Sequence, residues 1–476
     1  MESSTWANIF QKEILTDHAT IKYWEEEYRT PISDVTNEMN IIVESRAIGD
    51  ETFVLPSRSY LLCQGKVVKA ANGAEYNAGD NIALVNGWQA FRKVEMYMNG
   101  TLVDSCDYPG YVDTILGLLD DESDYATKGS LEFRYYDPVG GSAAVEYAIN
   151  LRSIPGIASA DGAGGTVSVA NAGETASHFN TFRNYLIGIA GANSAQAARV
   201  ARSSLGTGTF WFKLPLRNVL GLAKCDKPER GIQLQIRLTR ETDNNRVLLK
   251  GVLANNNPVD DGKLIISKVS LMMPSAKPHI DVFKDLNDRL RASEPVPLDY
   301  QRIWCNTYPA IAGGSISTRL LSNARRPRHV FLALQATARF ADQTRNSLLF
   351  DAPNSLVGSV RVGNQEFPAV AYNSANDGFV RMYNAFIDAA GKNADRSSNS
   401  FLDFNRWKNV YPIFYFDCSA NDNQFELQQD AEIVCNLTIT GDALIAGYTL
   451  VAIVVSDEHK TINENGAIIS IQSSDK

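Results

Sequence analysis

Short runs of alternating apolar and polar residues recur along this chain, and each predicts a strand with one buried face. Val94, Met96 and Met98 alternate; Asn99-Gly100 is a hairpin turn; Leu102 and Val103 begin the return strand. Tyr108-Pro109-Gly110 then breaks the pattern, and Tyr111, Ile115, Leu118 and Leu119 predict a short helix with one apolar face. Upstream, residues 40–48 and 52–70 read as strands. Further on come an aromatic strand at 209–214, a strictly alternating one at 231–241 (Ile232, Leu234, Ile236, Leu238) and an apolar one at 263–273. Later strands are expected at 329–340, at 357–372 around a Gly363-Asn364 hairpin, and at 409–419, 431–440 and 447–457. In residues 378–391, Phe379, Met382, Tyr383, Phe386 and Ile387 share one helical face.

The order of these elements repeats. Hairpin then helix occurs at 94–119 and again at 360–390. Aromatic strand, polar loop, alternating strand and apolar strand close both halves. Between the halves lies Ala276 to Leu298, where Val282, Phe283, Leu286 and Leu290 fall on one helix face. Asp281 is placed as N-cap after Pro278, and Pro295 and Pro297 stop the helix. Many short strands with long polar excursions predict a mainly β fold: two jelly-roll β-sandwiches in tandem, joined by a short helix, with a few short helices in loops. The expected divisions are an N-terminal arm (1–20), a first roll (21–275), the connecting helix (276–298) and a second roll with a C-terminal tail (299–476).

Composition adds constraints. The 476 residues suit two domains, and 44% hydrophobic residues with 20 Phe, 19 Tyr and 6 Trp suit large packed interfaces. A net charge of -9 argues against a chain built to coat nucleic acid. Six scattered cysteines with no C-x-x-C pair suggest reduced thiols. The first residues lack the apolar core of a signal peptide, and Ala443 to Val455 is too short to span a bilayer, so a protein made in the cytosol is expected. In residues 4–15, Trp6, Ile9, Phe10 and Ile14 share one side of a helix, which reads equally as a terminal helix packed on its own domain or as an arm that docks a neighbouring subunit or a membrane; on the second reading they are the candidate assembly contact.

Catalytic patterns are not found. H-E-x-x-H, G-x-S-x-G, Walker and G-x-G-x-x-G motifs do not occur, and the glycine-rich stretch 156–174 lacks the lysine of a phosphate loop. The five histidines are dispersed, and the Asn/Asp-rich loops do not match a calcium-binding pattern. No catalytic, metal or cofactor site is expected, and the protein reads as a non-enzyme. Arg325, Arg326 and Arg328 flank a strand, where a solvated edge or subunit contact outweighs phosphate binding.

Several segments, in order, resemble the double jelly-roll major capsid proteins of eukaryotic DNA viruses, of the polinton-like virus and adintovirus type. They are EEEYRTPIS at 25–33, VEMYMNGTLVDSCDYPGYVDTILGLLDD at 94–121, LIISKVSLMMPSAKPHIDVFKDLNDRL at 264–290, and the run from Arg326 to Pro368. The resemblance implies homotrimeric, pseudo-hexameric capsomers tiling an icosahedral virion shell. Partners would be the chain itself, minor or penton capsid proteins and an internal membrane under the arm, with no sequence-specific nucleic acid. The protein would be made in the host cytoplasm and assembled there or in the nucleus. The alternative from another class is a two-domain β-sandwich that binds or cleaves glycans.

Overall fold

The computed structural model describes residues 20–45, 52–74, 82–120, 209–250, 260–280, 296–374, 378–391, 411–419, 431–440, 447–462 and 468–470. Short breaks interrupt these ranges at 226–228, 231–232, 312–313, 342, 344–345 and 354; the isolated positions 283, 284, 288, 404, 407 and 408 are also described.

Eight main strands form the first half: β1 (Thr20–Arg29), β2 (Asn40–Glu44), β3 (Tyr60–Lys69), β4 (Phe91–Met98), β5 (Thr101–Asp107), β6 (Thr209–Pro215), β7 (Leu234–Arg240) and β8 (Gly262–Pro278). Eight more form the second: β9 (Val296–Ile311), β10 (Gly314–Ala324), β11 (Pro327–Ala336), β12 (Ser355–Val362), β13 (Gln365–Asn373), β14 (Ile413–Asp417), β15 (Ala431–Thr440) and β16 (Tyr448–Ile462). Helix α1 (Pro109–Asp120) follows β5, and α2 (Gly378–Ala389) follows β13.

All described pairings are antiparallel. In the first half they give sheets β1-β8-β3-β6 and β2-β7-β4-β5; in the second, β9-β16-β11-β14 and β10-β15-β12-β13. Adding eight to every strand of the first half reproduces the second, and each helix follows the fifth strand of its half. Each half is thus a jelly-roll sandwich of two four-stranded sheets. The short strands Phe53–Val54, Glu229–Arg230 and Ile468–Ser470 extend these sheets, and Ile82–Leu84 pairs separately with Leu248–Lys250.

Alternation decides which side chains enter each sandwich. Val94, Met96 and Met98 of β4 are buried, as are Leu234, Ile236 and Leu238 of β7 and Ile433, Cys435, Leu437 and Ile439 of β15. The Asn99-Gly100 turn has φ of 49° and 78° at its two central residues, the positive pair that a two-residue hairpin needs and that Asn-Gly supplies at little cost. On α2, Met382 and Phe386 face the core, while Tyr383, Phe404 and Trp407 pack as an aromatic cluster with ring centroids 5.4–6.2 Å apart.

The structure differs from the pattern reading in several places. Pro56 splits the stretch 52–70 with a 3-10 turn at Pro56–Arg58. Strand β8 runs on through Ala276 to Pro278, because β1 pairs with it to that end. Past it, Phe283 N–H donates to the His279 carbonyl at 3.0 Å, a helical bond; Asp281, Val282, Leu286 and Leu290 lie outside the described residues. So does the glycine-rich stretch 156–174. Strands β1, β9 and β10 occupy stretches that alternation did not single out. Among the described residues no helix is long and apolar enough to cross a membrane.

Truncating a side chain between the sheets tests the packing. Phe212 of β6 is fully buried, so Phe212→Ala should cost about 3–5 kcal/mol, read as a lower denaturant midpoint at unchanged slope.

Candidate functional site: the junction between the two sandwiches

The two sandwiches share a single hydrophobic cluster, and buried polar contacts thread it. Helix α1 lies at its centre. The pattern predicted one apolar face, yet every residue from Pro109 to Leu119 is buried, because the second half covers what the first leaves open. Tyr111 shows how. Its hydroxyl donates to Gln335 Oε1 of β11 at 2.8 Å, and the Gln335 amide donates to the Ser347 and Leu349 carbonyls at 2.6 and 3.0 Å. The Tyr111 ring lies 6.5 Å from that of Phe350. Burial pushes the Tyr111 phenol up, so it remains a donor. On the other side, Asn86 Nδ2 donates to the buried Asp113 carboxylate at 2.8 Å. Gly110 lets α1 approach the preceding turn: a Cβ there would lie 1.9 Å from Gln89 Oε1.

Strand β5 meets β9 and β16 at a second set of contacts. The Val103 carbonyl accepts from Tyr300 Oη at 2.5 Å and from Lys460 Nζ at 2.6 Å. Arg302 donates to Ser105 Oγ at 3.3 Å and stacks its guanidinium 3.7 Å from the centroid of Trp304. Asp104, buried beside them, accepts from the backbone N–H groups of Leu222 and Ser105 at 3.0 and 2.8 Å. Burial raises its carboxyl to about 6 despite those bonds and the nearby Arg302 and Lys460. Burial lowers Lys460, with Glu458 at 3.8 Å opposing the shift.

A third set closes the far side. Gln343 exchanges two hydrogen bonds with Gly262, donating at 2.8 Å and accepting at 2.7 Å. Ser347 Oγ donates to the Arg246 carbonyl at 2.5 Å, and Asn245 Nδ2 to the Phe340 and Ala341 carbonyls at 3.3 Å each. The backbones come close at Gly221, where a Cβ would stand 1.7 Å from the Gln301 carbonyl oxygen.

These contacts fix geometry rather than perform chemistry. Cys106 and Cys305 are fully buried and burial holds both thiols protonated; none of the six cysteines is disulfide-bonded. Among the described residues no three His, Cys, Asp or Glu side chains are grouped to hold a metal. His329 and His459 pair singly, with the Tyr415 hydroxyl and with Asp299, each at 2.8 Å. Of the arginine cluster, Arg328 binds Asp457 of β16 at 2.7 Å. Trp6, Ile9, Phe10 and Ile14 lie outside the described residues. Sequence reasoning missed Tyr300, Gln335, Gln343 and Lys460, because their partners are mostly main-chain atoms or residues far away in sequence.

No family model and no curated protein matches the sequence. Solved structures do. A chain of the Sputnik virophage structure is similar over 98% of this chain and 91% of its own, at 10% identity and a TM-score of 0.60. The mavirus major capsid protein covers 99% of this chain and 94% of its own, at 11% identity and a TM-score of 0.48. The first likeness shows the fold, a double jelly roll, in agreement with the eight-strand repeat.

Two changes probe the junction. Gly221→Ala should destabilise the protein by about 1–3 kcal/mol, seen in its denaturant midpoint, because the Gln301 backbone must move. Asp104 is raised from 3.8 to about 6 on folding, so its protonation favours the folded state. That contribution is complete well below pH ~4 and lost as pH rises through ~6. Relative to Asp104→Asn, which does not titrate, wild type should therefore gain about 2 kcal/mol in unfolding free energy between pH 7.5 and 4. Parallel pH dependences for the two proteins would contradict this.

Proposed function

We propose that this chain is a viral major capsid protein, a structural and non-enzymatic role, and that three copies form a pseudo-hexameric capsomer tiling an icosahedral shell. The observation that carries this reading is the strand-for-strand duplication held in one core. A rigid block with two like sandwiches supplies two of six near-equivalent corners. Three such blocks around an axis give a hexagonal outline, and hexagons tile. The double jelly-roll likeness to the Sputnik virophage chain supports the same reading.

On this proposal the rolls are the expected 21–275 and 299–476, with their strands β8 and β9 running a few residues into the 276–298 connector, to Pro278 and from Val296, and the residues ahead of β1 form an inward arm. Trp6, Ile9, Phe10 and Ile14 of the arm contact a neighbouring capsomer, a minor or penton capsid protein, or an internal membrane. The protein resides in the virion after assembly in the host cytoplasm or nucleus.

Light scattering on the purified chain should give three times 52.3 kDa, and negative stain of that fraction a hexagonal outline. A stable monomer with two separate lobes would contradict the proposal and favour a glycan-binding sandwich. Removing residues 1–15 should leave the three-chain particle and reduce the yield of closed shells; an undiminished yield would exclude the arm from assembly.

A further inference from the structure

Where β5 lies against β9, each sandwich contributes one cysteine. Contacts step along the two strands in the same direction, from Tyr300 on Val103 to Arg302 on Ser105. Cα atoms of the strands approach to within 8 Å. One further step brings the Trp304–Cys305 part of β9 beside the Cys106–Asp107 end of β5. Cys106 is 1% exposed and Cys305 6%, and both belong to the cluster that the two sandwiches share.

Their neighbours set the two thiols side by side. Cys106 Sγ donates to the Asp107 carbonyl at 3.4 Å, and the Asp107 carboxylate adds to burial in raising the Cys305 thiol. After burial, Cys305 raises Cys106 more than any other ionisable neighbour does, ahead of Asp104, which stands two residues along the same strand. Asp104 and Cys305 are both buried, and like-charge repulsion falls with distance, so the Cys305 sulfur is the nearer of the two. The other cysteines do not share this arrangement. Cys63 lies in β3, Cys418 just past β14 and Cys435 in β15, each buried within its own sandwich. Cys225 is half-buried, and its Sγ donates to the Asp299 carbonyl at 3.3 Å, nearer the other end of β9.

We propose that Cys106 and Cys305 form a redox latch, a dithiol that a low-molecular-weight disulfide converts into a covalent bond between the two sandwiches. In the first exchange one thiolate attacks the small disulfide and releases one small thiol. The other thiolate then attacks the mixed disulfide and releases the second. Two protein thiols are oxidised, one small disulfide is reduced to two thiols, and the protein's two protons end on the released thiols. Burial keeps both cysteines protonated, so the exchange waits for the junction to open. The latch therefore closes slowly, and it stays open in a reducing compartment. Closing it ties together positions about 200 residues apart, a long loop of the kind for which a crosslink most restricts the unfolded chain. The latch does not depend on the capsid reading.

The test incubates the folded full chain with cystamine in mildly alkaline buffer, quenches it in acid, blocks the remaining thiols and maps the peptides by mass spectrometry without reductant. Expected is a peptide holding Cys106 joined to one holding Cys305, split again by dithiothreitol, with the intact chain lighter by two hydrogens. The joined chain should melt above the reduced one. Urea well below the unfolding midpoint should speed the joining several-fold, because opening the junction exposes the thiols. Cys225→Ser should still join, whereas Cys106→Ser and Cys305→Ser should not. The main readout needs no substitution, so a variant that fails to fold leaves the test standing. Both thiols remaining free with and without urea, a Cys106–Cys225 bond in their place, a link that forms only in the fully unfolded chain, or a joined chain that melts lower would each overturn the latch.

Discussion

An edge strand presents backbone groups that its own sheet does not pair, and a tandem of two open sandwiches multiplies such edges. In this chain the edge of β5 is not paired with another strand but covered by side chains of β9 and β16, and the placement of the two sandwiches follows from that contact. The Val103 carbonyl is the focus: two buried donors from the second sandwich, Tyr300 and Lys460, converge on one oxygen. Burying an ammonium and the Asp104 carboxylate side by side is costly, and a carbonyl shared by two donors offsets it only in one relative placement of the sandwiches. The apolar cluster spanning both halves supplies adhesion, and the polar contacts fix position.

Helix α1 is the lever of this arrangement. Held by Gly110 against Gln89 on one side and by Tyr111 to Gln335 on the other, it turns two sandwiches on a string into one block. Strain at one sandwich is then transmitted through packed side chains to the other rather than absorbed in a hinge. On the proposed capsid role a shell unit would need that property, because a corner that swivelled would not keep its neighbours in register.

Elements with strict alternation or a defined turn were legible in the sequence. The Asn99-Gly100 hairpin, the buried faces of β4, β7 and β15 and the helix over Gly378–Ala389 all follow from local patterns. The duplicated order was legible too, because it is a repetition of such patterns. Strand β1 was not, since three consecutive glutamates suit an exposed edge and carry no alternation. Strands β9 and β10 escaped because β9 starts at the prolines that end the connector and β10 is largely solvent-facing. The junction was illegible in principle: Val103 and Lys460 are 357 residues apart, and the acceptor is a main-chain oxygen that every residue possesses.

The most direct measurement of the central claim is calorimetric unfolding of the full chain. Two sandwiches sharing one core and one polar junction should unfold in a single transition, with calorimetric and van't Hoff enthalpies in agreement. Two resolved transitions, each with its own enthalpy, would show sandwiches that fold and move independently, and would contradict the account of a single rigid block.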